Sequence, residues 1–201
     1  MTAVVPGTEI AQGDESGTVG LIARTDSGAA RVITAGHVLI DPTLPVRFPG
    51  TGSSPAFGAS QWIDDRVDAA IVGLGSNTWV NRPRGVNVTI TSIRHAAVGD
   101  VLSMSGATSA SVRRARVKYL GQHHVGYSNG SGLEMWGFVL EPLVAGQILS
   151  APGDSGALWW DEKTGAAVGL NVAGGPSAED PGIWAFACHI GPVFDRFALR
   201  L

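Results

Sequence analysis

Apolar residues along this chain come in short runs, each closed by glycine, proline or a small polar residue. Runs rich in Val, Ile, Thr or aromatics between turn residues read as strands. The segments that fit are TVGLIAR (18–24), AARVITAG (29–36), AAIVGL (69–74), VNVTITSI (86–93), DVLSMSG (100–106), SVRRARVKYLG (111–121), EMWGFVLE (134–141), GALWW (156–160), AAVGLNVAG (166–174) and IWAFAC (183–188). Long helical periodicity is missing from almost all of the chain. Many short strands with turn signals predict an all-β sandwich or barrel. One helix is predicted, in the C-terminal GPVFDRFALRL. Pro192 suits its first position. Val193, Phe194, Phe197 and Leu201 then share a face by the 3.6 period. Arg196 and Arg200 suit its last turns. Residues 41–58, rich in Pro, Gly and Ser, read as a long irregular loop. Residues 76–85 read as a connection between two halves.

Composition narrows the class. The 201 residues are 44% hydrophobic and only 15% charged, enough to bury a sizeable core and too apolar for a disordered chain. The formal net charge is −3, so no basic excess argues for nucleic acid or an anionic membrane surface. The one basic cluster, Arg113, Arg114, Arg116 and Lys118, reads as a solvated strand face or turn. No apolar window approaches the length of a membrane span. A single cysteine, Cys188, excludes an intrachain disulfide. Set in the apolar run IWAFACHI, it reads as a buried, inert thiol. No basic region followed by a long apolar run opens the chain, so no signal peptide is expected. With no disulfide, this predicts a cytoplasmic location.

The candidate chemistry starts at SAPGDSGALWW (150–160). Pro, Gly, Asp and Ser favour turns for conformational reasons alone. PGDSG is therefore either a hairpin connection or a turn that presents Ser155 as a nucleophile. A serine hydroxyl needs a base to become one. Of the five histidines, His37 stands at a strand-to-turn junction, VITAGHVL, with small Ala35 and Gly36 beside it. His123 and His124 are adjacent in QHHVGYSNG, read as a polar loop, and adjacent strand side chains diverge, which makes a poor metal pair. His95 and His189 have no suggestive context. No cluster has zinc-ligand spacing, so neither metal nor cofactor is expected. An imidazole also needs an orienting carboxylate. Asp68 directly precedes AAIVGL, where it either projects into the interior or caps the strand start. Asp64 and Asp65 read as solvated loop charges. Trp159 and Trp160 fall on opposite faces of their strand, one core and one surface or groove.

Taken in chain order, Thr34-Ala35-Gly36-His37, Asp68-Ala69-Ala70-Ile71 and Gly153-Asp154-Ser155-Gly156 resemble the three signature regions of chymotrypsin-like (trypsin-like) serine proteases, closest in style to compact bacterial members. The order His…Asp…Ser separates that family from α/β-hydrolases and subtilisins. Residues 98–117 look like the segment that opens the family's second barrel, although SGATSA lacks its closing glycine. AVGLNVAGG (167–175) is similar to the strand along the specificity pocket, and the C-terminal segment to the family's final helix. The resemblance covers about residues 16–201 and implies one peptidase domain across the chain. Its fold would be all-β, two six-stranded antiparallel β-barrels packed at right angles, with a C-terminal helix. The first barrel would span about 16–88 and the second about 89–201, with the site in the cleft between them.

The same resemblance implies roles. Ser155 would attack a carbonyl carbon, His37 would accept its proton, and Asp68 would hold the imidazole. The N–H groups of Gly153 and Ser155 would form the oxyanion hole. Leu149, Ala173, Gly174 and Gly175 would line the substrate pocket. Leu149 stands where trypsin-type members carry an aspartate, which predicts a preference for apolar residues over Arg or Lys. The loop from Pro176 to Gly182 would reshape that pocket. No R-I-V-G-G activation motif is present, so Asp154 either pairs elsewhere or stays solvated. The implied activity is endopeptidase action on polypeptides through an acyl-enzyme, controlled by a regulatory partner or fused domain. A silent binding module and a single-turnover self-processing domain are the alternatives.

Overall fold

In the computed structural model, which describes residues 2–108, 111–127, 130–175 and 184–201, the apolar runs become strands for one main reason: they bury both faces. The first half of the chain contributes β1 (Glu9–Gln12), β2 (Glu15–Thr18), β3 (Leu21–Thr25), β4 (Ala30–Thr34), β5 (Ser60–Ile63) and β6 (Asp68–Gly73). β1 and β2 form a ribbon, and β3, β4, β6 and β5 are neighbours in that order within one curled sheet. Ile22, Val32, Ala70 and Val72 point into this barrel with Ile10, Val19 and Val46. Leu21, Ala23, Ile33 and Ala69 point the other way, into a layer shared with the second half. Strands covered on both sides read as continuous apolar runs rather than alternating ones.

The second half holds β7 (Ser92–Ile93), β8 (Val101–Met104), β9 (Arg113–Gly126), β10 (Gly132–Pro142), β11 (Leu158–Asp161), β12 (Ala166–Gly174) and β13 (Ala185–His189). The order β11-β8-β9-β10-β13-β12 closes on itself through a β11–β12 pairing, a ring of six strands. β7 adds to β12 in parallel. Leu102, Phe138, Trp159 and Ala187 fill the ring. Met135, Leu158, Trp160, Leu170 and Phe186 face the first barrel. The fold is thus the expected all-β pair of barrels. Trp159 and Trp160 do take opposite faces, but both are fully buried, because the second face meets the other barrel instead of solvent.

Three local expectations need correction. VNVTITSI is mostly not a strand; only Ser92–Ile93 pairs, with β12, because the N–H groups of Val86 and Ile90 bond back to the Pro83 and Asn81 carbonyls of the preceding loop. QHHVG lies within β9, not in a loop. The helix, α1 (Ile190–Phe197), starts two residues earlier than Pro192, directly after the extended His189, so Pro192 is its third residue. Val193 and Phe194 are buried as their period requires. Ala198 then adopts a left-handed conformation (φ 49°) and ends the helix. The chain continues as β14 (Leu199–Arg200), pairing with β3. Arg200 and Leu201 therefore leave the helix, and the C-terminus straps the second half to the first barrel. Sequence patterning also misses β1, β5 and β14. β5 is an exposed edge strand with no apolar face to reveal it.

Candidate active site

The strand β4 ends at Thr34, and Gly36–Val38 form a 3-10 turn that turns His37 toward the start of β6. There the His37 ring Nδ1 lies 2.6 Å from Asp68 Oδ2, and the His37 backbone N–H donates to Asp68 Oδ1 at 3.0 Å. Both oxygens of this fully buried carboxylate are thus engaged by one residue. Gly36 is required by the approach: a Cβ there would sit 2.8 Å from Asp68 Oδ1. Asp64 meanwhile accepts the Trp62 indole N–H and the N–H groups of Arg66 and Val67, a local turn role. Burial on its own would lower the His37 pKa. The Asp68 hydrogen bond and charge, joined by the charge of Glu15, outweigh it and hold the imidazole above its ordinary 6.5. Cys188 lies beneath, its Sγ 3.9 Å from the Asp68 carbonyl oxygen. Burial pushes its thiol up to about 12, as suits an inert group.

Ser155 sits on the turn before β11. Gly153 (φ 93°) and Gly156 (φ 85°) both take backbone conformations that side chains disfavour. A Cβ on Gly156 would also strike Thr34 Oγ1 and the backbone of Ala35 and Thr18. The turn is therefore pressed against the end of β4, which brings Ser155 to the His37 side. Thr18 pins it there. Its N–H donates to the Ser155 carbonyl at 2.7 Å, and its hydroxyl to the Gly153 carbonyl at 2.7 Å. The N–H groups of Asp154, Gly156 and Ala157 bond to Ala151, Asn171 and Asp154 carbonyls. Those of Gly153 and Ser155 bond to no other described residue. Both residues line the cleft.

Asp154 is fully buried, so the solvated alternative for it is overturned. It accepts the Thr108 hydroxyl at 2.7 Å and the Ala151 N–H at 3.1 Å. Its carboxylate thereby ties the Ser155 turn to the segment after β8.

His37, Ser155, Gly153, Ala173 and Gly174 line one cleft of about 500 Å³. His37 and Ser155 face the same cleft without a hydrogen bond between them. Leu149 does not line the cleft. It is fully buried with Leu102, Met104 and Trp159, because its side chain points into the ring of the second barrel. The neighbouring Ser150 takes the cleft position instead, its hydroxyl accepting from the Asn171 amide at 2.8 Å. Gly175 is also absent from the lining, and its N–H is used on the Trp184 carbonyl at 3.1 Å. The Pro176–Gly182 loop lies outside the described residues. Sequence reasoning missed Thr18, Asn171 and Tyr127. Thr18 and Gly153 are 135 residues apart, and no local signal marks such a pairing.

Fold and site together define a class: a chymotrypsin-fold pair of barrels with a His–Asp pair and a glycine-flanked serine at their junction. Solved structures of that fold align over nearly the full chain. Thermobifida fusca protease A matches at TM-score 0.76 and 24% identity, covering 100% of this chain and 98% of its own. Nocardiopsis protease matches at 0.77 and 21%, covering 100% and 99%. Cellulomonas bogoriensis chymotrypsin matches at 0.74 and 20%, covering 99% and 98%. At these identities the likeness is one of fold. No protein-family profile and no curated sequence relative matches the chain.

Proposed function

We propose that the chain is a serine endopeptidase that cuts polypeptides through His37, Asp68 and Ser155. The observation that carries this reading is the 2.6 Å His37–Asp68 contact in a cleft that Ser155 also lines. Asp68 accepts at Nδ1, so the proton belongs on that nitrogen and Nε2 is left with its lone pair. Nε2 can then take the Ser155 proton as Oγ attacks the substrate carbonyl carbon. The resulting oxyanion is met by the Gly153 and Ser155 N–H groups. His37 returns the proton to the leaving amine, and water repeats the sequence on the acyl-enzyme. The solved structures of the same fold carry protease names, which agrees with this reading.

A fluorophosphonate probe tests it. One adduct, mapped to Ser155 by mass spectrometry, is expected together with hydrolysis of casein. A folded protein that neither labels nor cuts sinks the reading.

Around Ser155 the cleft presents Ser150, Ala151, Pro152, Val172, Ala173 and Gly174, with no charged side chain among them. Its carboxylates, Asp14 from the β1–β2 turn and Glu15 from the start of β2, come from the first barrel. The side chain that precedes the cut bond should therefore be small or apolar. A peptide-library profile dominated by cleavage after Arg or Lys would refute this.

A further inference from the structure

The β9–β10 hairpin reaches beyond its own barrel. The Trp136 N–H donates to the Asp65 carbonyl at 2.6 Å, which pins the hairpin beside the β5–β6 turn. Val125 and Met135 join Val67 and Ala69 in the layer between the barrels. This docking delivers Tyr127 into the cleft. Its ring lies 5.4 Å from the His37 ring, centroid to centroid, with the planes at 47°. Its hydroxyl is buried and makes no hydrogen bond to a described residue.

A buried phenol without an acceptor is unfavourable, and native structures rarely keep one. One acceptor with spare capacity is close. Two oxygens of a carboxylate present about four lone-pair sites, and His37 takes two of those on Asp68. Burial first, then the charge and hydrogen-bonding capacity of Asp68, hold the Tyr127 phenol well above its ordinary pKa. Tyr127 is therefore a neutral donor wherever His37 titrates.

We propose that Tyr127 is a positioning residue whose hydroxyl donates to the Asp68 carboxylate in the working site and sets how strongly Asp68 draws on the His37 imidazolium. This rests on reading His37, Asp68 and Ser155 as a hydrolytic triad. The other groups that face the pair are Asp14 from the β1–β2 turn, Glu15 from the start of β2 and Cys188 from β13. Glu15 strengthens the imidazolium. Cys188 is a neutral thiol directed at the Asp68 backbone oxygen. Tyr127 is the one group of this set that can donate a proton to the carboxylate side chain. A third donor spreads the charge of Asp68 and weakens its hold on the imidazolium. Removing that donor raises the His37 pKa. A general base must be neutral, so the acid limb of the rate moves to higher pH.

The experiment is Tyr127→Phe, which keeps the ring and removes the hydroxyl. The reading is the rate of fluorophosphonate labelling of Ser155 against pH. Its acid midpoint should rise by roughly half a pH unit. A midpoint that stays put, or falls, overturns the proposal; a merely structural role would change thermal stability and leave the midpoint in place. A wild type that never labels overturns the triad reading, and this inference with it. Should Tyr127→Phe not fold, 3-fluorotyrosine can be placed at position 127 alone in a Tyr119→Phe background, since the chain has two tyrosines and Tyr119 lies on an exposed strand face. Its stronger donor must move the midpoint to lower pH, and an unmoved midpoint again overturns the proposal.

Discussion

Ser155→Ala is expected to lower kcat for peptide hydrolysis by about 10⁶-fold, the scale seen where serine, histidine and aspartate act as a unit. KM should hardly change, because the cleft walls and the oxyanion donors stay in place. Thermal stability should hold as well. The Ser155 side chain makes no hydrogen bond to a described residue, while the turn is fixed by the Thr18 bonds to the Ser155 and Gly153 carbonyls. Surface-facing changes of this kind usually alter stability by less than about 0.5 kcal/mol. The same reasoning predicts strong non-additivity. His37→Ala should be about as damaging as Ser155→Ala, and the double variant no worse than either. Residual turnover above about one part in a hundred in Ser155→Ala would point to another nucleophile and sink the assignment.

Much of the fold could be read from the chain because of how its strands are buried. β3, β4, β6, β11, β12 and β13 are covered on both faces, so their sequences stand out as apolar runs between turns. Position mattered less than expected at the edges. β5 and β14 carry no apolar stripe, and the β-rich VNVTITSI spends backbone bonds on the preceding loop and joins β12 only at Ser92–Ile93. The site followed the same division. His37, Asp68 and Ser155 announce themselves through short local motifs, and the structure brings all three to one junction. The parts that hold them come from far away in sequence. Thr18 grips the Ser155 turn, Thr108 reaches buried Asp154, and Tyr127 arrives on a hairpin docked by Trp136. Each is an ordinary residue in its own neighbourhood, and only the packing of two barrels gives it a role. Leu149 shows the converse. Its sequence offset from Ser155 suggested a pocket wall, but a one-residue change of facing sends it into the core and gives the cleft to Ser150.

Asp68→Asn separates the orienting role from mere structure. The shape of the side chain survives, but its hydrogen-bonding sense is altered. An amide nitrogen facing His37 Nδ1 would donate, so the imidazole would keep its proton on Nε2, the nitrogen that must accept from Ser155. A fall of about 10⁴-fold in kcat is expected. The pH dependence should move too, and its sign is fixed by the wild-type balance. Burial lowers the His37 pKa, and Asp68 is the main group that lifts it above 6.5. Without that carboxylate the imidazole becomes neutral at lower pH, so the acid limb of the residual activity should shift down. Stability should change in a linked way. A histidine whose folded pKa is raised contributes stability that is fully present below its unfolded value and is lost as pH rises through the folded one. The stability that Asp68 confers through His37 is therefore fully present below about pH 6.5 and is lost as the pH rises through the raised folded value. Thermal melts of wild type and Asp68→Asn across that window should converge as the pH rises. A gap that widened instead would mean that Asp68 does not stabilise the charged imidazole, and its role would have to be sought elsewhere.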